Sequence, residues 1–388
     1  MSSAQPPALT STPPAPTSPP PPTIPLPAPH ARKLSAVVAA HDGHPLAIFP
    51  AGERALIADG PGLWGFAQPK AAPVHDTSIA RGLPTRGKAH IEYVGGYWPR
   101  VALSYGEKEL TEHGGPDTVL YELRSGTFTR LKHVTHQIPR AVAVGKRSVY
   151  AFTPNSSYGI AGFSCASGVT GGALVVALRD GQKVTPPNLP KTFFPRRFVT
   201  DGSGGEWAVG ADACRPGAFI AAIDAATWTL ELVPGSEACD ERAGFDGMPF
   251  THGRAFPAAD GGLHVLLENI AIPGNFPTPT AGPCTAPARV VSRSPSGVWS
   301  AARELPSDRG NVEYVDPAGA VWAITAHQTI ARIPKEGSID EFALDASCAQ
   351  IGEGADAMEI NEVVVPFADQ PWVRVSANGA SALCALDQ

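Results

Sequence analysis

From residue 33 onward, short hydrophobic runs alternate with turn signals about every 8–12 residues. Many of these runs are rich in β-branched residues or carry a Trp, and their length is typical of strands. No stretch has the sustained 3.6-residue periodicity of a long helix. The pattern predicts an all-β fold and argues against a helical bundle or a helical solenoid.

One unit recurs in degenerate form along this region. It begins with a turn rich in Gly and Asp, continues into a hydrophobic strand that often carries Trp, and adds two further strands. The clearest copies begin at Asp201, Asp260 and Asp316. The strand that follows each opening turn starts near residues 47, 101, 142, 206, 263, 320 and 363, a spacing of about 53 residues. Repeats of roughly this length are typical of β-propellers, in which a ring of blades buries the faces that one blade leaves exposed.

We therefore expect residues 33–388 to form one β-propeller domain, most simply with seven blades. Residues 33–40 are expected to close the ring by pairing beside residues 373–384. Two β-sandwich domains, or a ring of six or eight blades, remain alternatives. Two sandwiches would call for a linker near the middle of the chain, where only Pro186 and Pro187 stand out.

Residues 1–32 have a different character. The first 29 residues contain 12 prolines and no charged, aromatic or Gly residue, so they cannot bury enough apolar surface to fold. We predict a disordered, Pro-rich leader or linker, with Pro19–Pro22 in polyproline II. This segment lacks the basic and apolar regions of a signal peptide. Either the protein is cytoplasmic, or the segment is a linker left after an export signal; its Ser/Thr/Pro composition favours an exported protein, secreted, periplasmic or on the cell surface.

The charge pattern limits the classes of partner that we expect the protein to bind. The chain of 388 residues carries 30 basic and 36 acidic side chains, a net charge of −6, which argues against nucleic acid. The one basic pair among aromatic residues is Arg196-Arg197, and we expect it in a connection packed on the edge of the ring. No apolar run approaches 18 residues, so no membrane span is predicted.

Four segments of the copy that begins at Asp316 carry a resemblance: Gly319–Trp322, Ile330–Ile333, Gly337–Ile339 and Glu341–Leu344. They resemble the repeat of streptogramin-lyase-type propellers, and similar repeats form the sensor propellers of two-component regulators. The resemblance spans about 30 residues and implies the propeller fold. In the lyases it would also imply a Glu shortly after the blade Trp, with His residues, around a divalent metal. The corresponding residues here, 323–326, contain no carboxylate.

Other motifs do not indicate a cofactor or a metal. The sequence lacks the nucleophile elbow, the zinc-protease helix, the phosphate-binding and dinucleotide-binding loops and the EF-hand loop. His41 and His44 flank Asp-Gly, which is an ordinary hairpin turn, and an i, i+3 pair such as His133 and His136 points to opposite faces of a strand. The Asp residues that begin the repeats are better explained as turn caps than as calcium ligands.

The six cysteines form no C-x-x-C pair, which argues against structural zinc. In a blade with strands a to d, the b–c and d–a connections emerge on one face. Our strand assignment places five cysteines there, three in b–c loops and two in d–a connections. We expect disulfides 165–214, 239–284 and 348–384, with 214–239 as an alternative to the first two. The residues concerned are Cys165, Cys214, Cys239, Cys284, Cys348 and Cys384.

The long loops point to recognition. Residues 154–171, 211–217 and 270–287 are expected between paired strands on that same face, where function concentrates. We expect a non-catalytic interaction module that binds a protein, peptide or glycan through exposed side chains of these and nearby loops. The candidates are Tyr158, Phe163, Phe276, Trp98 and His327.

The alternative is a metal-assisted propeller enzyme, of lyase or lactonase type, acting at the central channel. Its best candidates are Glu107, Glu109, Glu268 and His327, which form no recognised constellation. A scaffold subunit of a larger assembly is a third hypothesis. The sequence favours the non-catalytic interpretation and leaves the ligand and the oligomeric state open.

Overall fold

In the computed structural model, seven antiparallel blades follow one another along the chain. Blade 1 contains β2 (Leu46–Ala51), β3 (Arg54–Asp59) and β4 (Gly62–Phe66). Blade 2 contains β5 (His90–Tyr97), β6 (Arg100–Gly106), β7 (Thr118–Arg124) and β8 (Thr127–Val134). Blade 3 contains β9 (Ala141–Val144), β10 (Val149–Thr153), β11 (Leu174–Arg179) and β12 (Gln182–Val184).

The second half of the ring has four strands in each blade. Blade 4 contains β13 (Phe193–Thr200), β14 (Glu206–Asp212), β15 (Arg215–Ala222) and β16 (Glu231–Leu232). Blade 5 contains β17 (His252–Pro257), β18 (Leu263–Glu268), β19 (Arg289–Arg293) and β20 (Arg303–Glu304). Blade 6 contains β21 (Asn311–Val315), β22 (Val321–Ile324), β23 (Ile330–Ile333) and β24 (Asp340–Leu344), followed by the short helix α1 (Ala346–Ala349). Blade 7 contains β25 (Glu359–Phe367), β26 (Gln370–Ala377), β27 (Ala380–Leu386) and β1 (Lys33–Ala39).

The structure describes residues 33–39, 46–51, 54–59, 62–66, 81–83, 90–97, 100–106, 118–134, 141–145, 148–153, 174–180, 182–185, 188, 190, 193–212, 215–223, 227–236, 252–268, 287–306, 310–349, 359–367, 370–377 and 380–386. The predicted Pro-rich segment 1–32 lies outside them. No helix in these ranges is long and apolar enough to cross a membrane.

The strand nearest the N-terminus closes the ring. β1 pairs antiparallel with β27, from Leu34 opposite Leu386 to Ala39 opposite Ala382, and so becomes the outermost strand of blade 7. Its first two residues also pair parallel with β24 of blade 6. The prediction of an all-β, seven-bladed propeller is confirmed, and the closing strand is the one expected from the sequence.

The predicted repeat unit begins one strand too late in the best copies. The turns at Asp201 and Asp316 join the first and second strands of blades 4 and 6, so the strand before each turn belongs to the same blade. Those first strands, FFPRRFVT and NVEYV, carry charged residues that interrupt the apolar pattern. These charged residues explain why the hydrophobic pattern of the sequence does not show the innermost strand of the unit.

The first strands of the blades, β2, β5, β9, β13, β17, β21 and β25, surround the channel. Neighbouring members contact each other around most of the ring, and across the blade 5–6 junction Phe256 meets Tyr314 edge-on at 4.7 Å between ring centroids. The backbones approach so closely that a Cβ on Gly95 of β5 would lie 1.9 Å from the carbonyl oxygen of Val142 in β9. Only glycine fits at that position.

Strand direction defines two faces of the ring. The d–a and b–c connections emerge on one face, which we call the loop face, and the a–b and c–d turns emerge on the other, the turn face. First strands run from the loop face towards the turn face. Charged groups in the first half of such a strand therefore lie nearer the loop-face mouth of the channel.

A shared contact network shapes the turn face of blades 4 and 6. Asp201 accepts hydrogen bonds from the backbone N–H of Gly205 at 2.7 Å and from the indole of Trp207 at 2.8 Å. Asp316 accepts equivalent bonds from Ala320 at 2.8 Å and from Trp322 at 3.1 Å. The turn-cap interpretation of these aspartates is confirmed, because each carboxylate orders its own turn and holds the Trp six residues later.

Blade 5 varies this network. Its turn places Ala258 where the other two blades have Asp, and His264 where they have Trp. The buried imidazole contacts Ser292 Oγ at 2.8 Å through Nδ1 and the Pro317 carbonyl of blade 6 at 3.2 Å through Nε2. A carbonyl only accepts, so Nε2 carries the hydrogen. Burial lowers the pKa of His264, which keeps the ring neutral and ties blade 5 to blade 6.

A disulfide secures the junction where the ring closes. Cys348 of α1 and Cys384 of β27 are bonded, with their Cα atoms 6.2 Å apart, and both lie in the buried core of blades 6 and 7. This is one of the three pairs expected from the sequence. The other four cysteines lie outside the described residues.

Candidate functional site

Most aromatic candidates for ligand binding lie outside the described residues. In chain order, Tyr158 and Phe163 fall between β10 and β11, Phe276 between β18 and β19, and Trp98 between β5 and β6. The glutamates Glu107 and Glu109 also lie outside the described residues. Their proposed roles remain predictions.

His327 lies where its repeat predicts, in the b–c turn of blade 6 between β22 and β23. It is exposed, and its backbone N–H donates to Thr325 Oγ1 at 3.2 Å. The side chain is thus available on the loop face. The structure does not bring His327 into the charged group described next.

Charged side chains from four neighbouring blades gather at the channel. Four belong to first strands and two to second strands, and Glu268 was already a sequence candidate. We call this group the channel cluster; its members are Arg197, Arg254, Glu268, Glu313, Glu362 and Arg374. Glu268 ends β18 at the loop face, and the first-strand members lie in the first half or the middle of their strands.

Arg254 of β17 contacts its own blade and the next one. Its Nη2 atom lies 2.7 Å from Glu268 Oε1, and its Nη1 atom lies 3.5 Å from Glu313 Oε2. The same guanidinium donates to the carbonyl of Glu313 at 3.0 Å and to the carbonyl of Val312. A bulge in β21 makes these contacts possible, because Glu313 is the extra residue in the pairing with β22 and interrupts the ladder there.

Glu362 and Arg374 form the blade 7 part of the channel cluster. They face each other across β25 and β26, with Arg374 Nε 3.5 Å from Glu362 Oε2. A second bulge precedes Glu362, because Asn361 is an extra residue in β25. About a third of the Glu362 side chain is exposed, at 33%, so the group is open to water in the channel.

Arg197 corrects a sequence expectation. The Arg196-Arg197 pair does not lie in a connection on the ring edge; it lies in β13, the first strand of blade 4. The expectation failed because two adjacent arginines look unlike a buried strand. A bulge at Arg196 accommodates them, and Arg197 resumes the pairing opposite Val209. The Arg197 side chain is exposed.

The electrostatics of the channel cluster are strongly coupled. Desolvation lowers the pKa of Arg197, the neighbouring Arg254 lowers it further, and three glutamates oppose the shift. Desolvation likewise raises the pKa of Glu313 and of Glu362, against the attraction of nearby arginines. Perturbed carboxyl groups in a channel are typical of functional sites, although structural ion pairs also produce them.

This arrangement suits recognition of polar ligands. Guanidinium groups bind carboxylates and phosphates, and the glutamates accept hydrogen bonds from hydroxyl or amino groups. Within the described ranges, no group of three or more His, Cys, Asp or Glu side chains is placed to hold a metal ion.

Most of the channel cluster was not predicted. Arg254, Glu313, Glu362 and Arg374 each appear once in a strand, with no motif around them. The available signal was positional: Arg197 and Arg254 both lie three residues before the end of the strand that precedes a Gly-rich turn. Reading those strands as the innermost ones would have placed both charges in the channel.

Comparisons with known proteins do not assign the chain to a family. No protein-family model matches the chain, and no curated protein matches it. Among solved structures, the chain is similar to the β-propeller domain of Myceliophteria thermophila Cps50 (Swd1), with a TM-score of 0.47 and 10% identity over 90% of this chain and 99% of that one.

Two further solved structures are similar to the chain at a comparable level. YCF48 from Cyanidioschyzon merolae has a TM-score of 0.45 and 9% identity, covering 90% of this chain and 98% of that one. AztD from Citrobacter koseri has a TM-score of 0.43 and 14% identity, covering 86% and 82%. These likenesses say nothing of function. The strand order itself defines the chain as a seven-bladed β-propeller.

Proposed function

We propose that this protein is a non-catalytic recognition module that binds its partner on the loop face, over the mouth of the central channel. The observation that carries the proposal is the channel cluster, which brings charged side chains of four blades together at the channel, with Arg197 exposed and Glu362 about one-third exposed. Part of the channel cluster ties blades 5 and 6 together through Arg254. The exposed guanidinium of Arg197 makes no such tie to the described residues and is better explained by a ligand.

The loops support the same face. The b–c connections of blades 3 and 5, residues 154–173 and 269–288, are the long connections of their blades. Tyr158, Phe163 and Phe276 belong to them, and His327 lies in the b–c turn of blade 6. A protein, peptide or glycan partner would therefore meet aromatic side chains around a charged centre, a combination common at binding surfaces.

A cross-linking experiment with one probe on each face tests the proposal. A photo-reactive amino acid replaces His327 on the loop face or, as the matched control, Val298 in the c–d turn of blade 5 on the turn face, which is 66% exposed. Both variants are expressed in the organism that makes the protein. We expect a discrete adduct from position 327 and none from position 298. Adducts from position 298 alone, or from neither position, would contradict the proposal.

The second candidate is an enzyme acting at the channel, and the carboxyl groups favour it. Glu313 and Glu362 both have raised pKa values, the property of a general acid. Under this candidate, E313Q or E362Q would abolish turnover found in a screen of lyase and lactone substrates, while E304Q on the outer strand β20 would not. A screen without turnover above a no-protein blank would remove this candidate.

A further inference from the structure

Arg197 and Arg254 occupy the same position in neighbouring blades. Arg197 of β13 pairs opposite Val209, and Arg254 of β17 pairs opposite Leu266. Each of these partners lies two residues beyond the position that carries Trp207 in blade 4 and His264 in blade 5. The two guanidinium groups therefore allow a direct comparison of one site in two settings.

Arg254 has both carbonyl and carboxylate partners. The next blade offers it two bulge carbonyls in β21 and the carboxylate of Glu313, and its own blade offers Glu268. Its side chain is only 13% exposed. Arg254 is thus a tie between blades 5 and 6, and no ligand is required to explain it.

The setting of Arg197 lacks these partners. The first strand of the next blade, β17, pairs with β18 without a register shift, so it has no bulge carbonyls to offer. Among the described residues, none lies within hydrogen-bond or ion-pair distance of the Arg197 guanidinium; Arg254, Glu268, Glu313 and Glu362 act on it electrostatically from farther away. The side chain remains exposed.

The bulge beside Arg197 adds a second observation. An extra residue at Arg196 re-aims the side chains that follow it, a device common next to functional sites. The exposed Arg197 side chain keeps N–H donors that none of the described residues uses, so a ligand can reach them. The geometry fits a guanidinium kept open for an anionic group of a ligand.

We infer that Arg197 anchors a ligand carboxylate in the channel, and that Glu313 and Glu362 accept hydrogen bonds from hydroxyl or amino groups beside that carboxylate. This inference rests on the proposed function and names its ligand chemistry. A carboxylate matches the guanidinium in a planar, two-bond geometry. The three arginines and three glutamates of the channel cluster balance, so a single negative charge is accommodated better than the double charge of a phosphate.

Calorimetric titration of the full chain tests this inference with defined small probes. The panel contains glucuronate, other hydroxy acids, an amino acid and inorganic phosphate. Glucose is the matched probe that lacks a carboxylate, and acetate is the carboxylate that lacks flanking donors. At least one donor-bearing carboxylate should bind about tenfold more tightly than its neutral counterpart and than acetate. Whether hydroxy acids or the amino acid bind better identifies the source of the donors.

Variants assign the binding to Arg197. R197Q should lose at least tenfold in affinity, and R197K should lose less, because lysine keeps the charge but not the two-bond geometry. The control is R179Q, which changes an exposed arginine at the c–d turn of blade 3 on the turn face. Tighter binding of phosphate, unchanged affinity in R197Q, or no carboxylate binding across the panel would overturn the inference.

The two proposals fail in different ways. If position 327 still gives an adduct but no carboxylate binds, recognition on the loop face is supported and the role of Arg197 as the anchor is excluded. Loss of the adduct with intact carboxylate binding would remove the macromolecular partner and keep the channel site.

Discussion

The junctions between blades 4 and 5 and between blades 5 and 6 carry an arginine at the same strand position, but the two arginines have different surroundings. At the blade 5–6 junction, Arg254 meets bulge carbonyls and carboxylates, and on the turn face His264 reaches the Pro317 carbonyl. At the blade 4–5 junction, Arg197 meets none of the described residues within bonding distance. One junction is closed by its own polar groups, and the other keeps a guanidinium open.

The blade 4–5 junction is instead held at its periphery. Arg293 of β19 lies 3.0 Å from Glu231 of blade 4 and stacks over Trp207, with its Cζ atom 4.6 Å from the ring centroid. The Trp299 indole donates to the same carboxylate at 2.5 Å. A propeller can therefore move the polar contact between two blades away from the channel, which leaves one channel position free for a ligand.

The largest expected effect is the loss of the Arg254 tie. R254Q leaves two bulge carbonyls without a donor and Glu268 and Glu313 without their guanidinium, so we expect about 3 kcal/mol of lost stability. Denaturant unfolding of the full chain measures it, with R179Q, at the exposed c–d turn of blade 3, as the control. A loss no larger than that of the control would mean that this junction is not held at the channel.

The closing junction between blades 6 and 7 extends the comparison with a covalent bond. C348A/C384A removes the disulfide between α1 and β27, and we expect a loss of about 2–4 kcal/mol. Unfolding of the double variant, beside the oxidised and the reduced wild-type protein, measures it. Equal stability of the oxidised and reduced wild-type protein would show that β-pairing alone closes the ring.

The peripheral contact at the blade 4–5 junction should contribute less. R293Q removes an ion pair and a cation–π contact that are partly exposed, so we expect about 1 kcal/mol of lost stability. R293K, which keeps the charge and loses the planar stacking, should fall between R293Q and wild type. If R293Q matches wild type in denaturant unfolding, the junction is held by apolar packing.

The smallest effect concerns acid. The pKa of His264 is lowered in the fold from an ordinary value of 6.5, so the unfolded chain takes up a proton first as the pH falls. Its contribution to stability is present above that value and is lost as the pH falls through it. H264Q should therefore lose less stability than wild type between pH 7.5 and pH 5. Denaturant unfolding of both proteins across this pH range measures the difference. Parallel curves would contradict the neutral tie to Pro317.

The fold was predictable because its signals repeat. A turn that begins with Asp and contains Gly, followed by a Trp, recurs in blades 4 and 6, and each copy contains the whole physical reason for its shape, a carboxylate that caps a turn and holds an indole. The closing strand was also predictable, since residues 33–39 are a plain hydrophobic run that precedes all other strands.

The candidate site was not predictable in the same way. Arg254 and the Glu313 carbonyl that it reaches are 59 residues apart, and their contact depends on a bulge that leaves no mark in composition. Charged residues inside β13, β17, β21 and β25 looked like interruptions of strands rather than channel-lining groups. Local patterns specify a blade, whereas the site is made where blades meet.

Denaturant unfolding of the full chain without ligand should separate R197Q from R254Q. An arginine kept open for a ligand costs its fold stability, so R197Q should be as stable as wild type or more stable, while R254Q is strongly destabilised. A loss in R197Q comparable to that in R254Q would show that both arginines are structural ties. The contrast between the two junctions would then be contradicted.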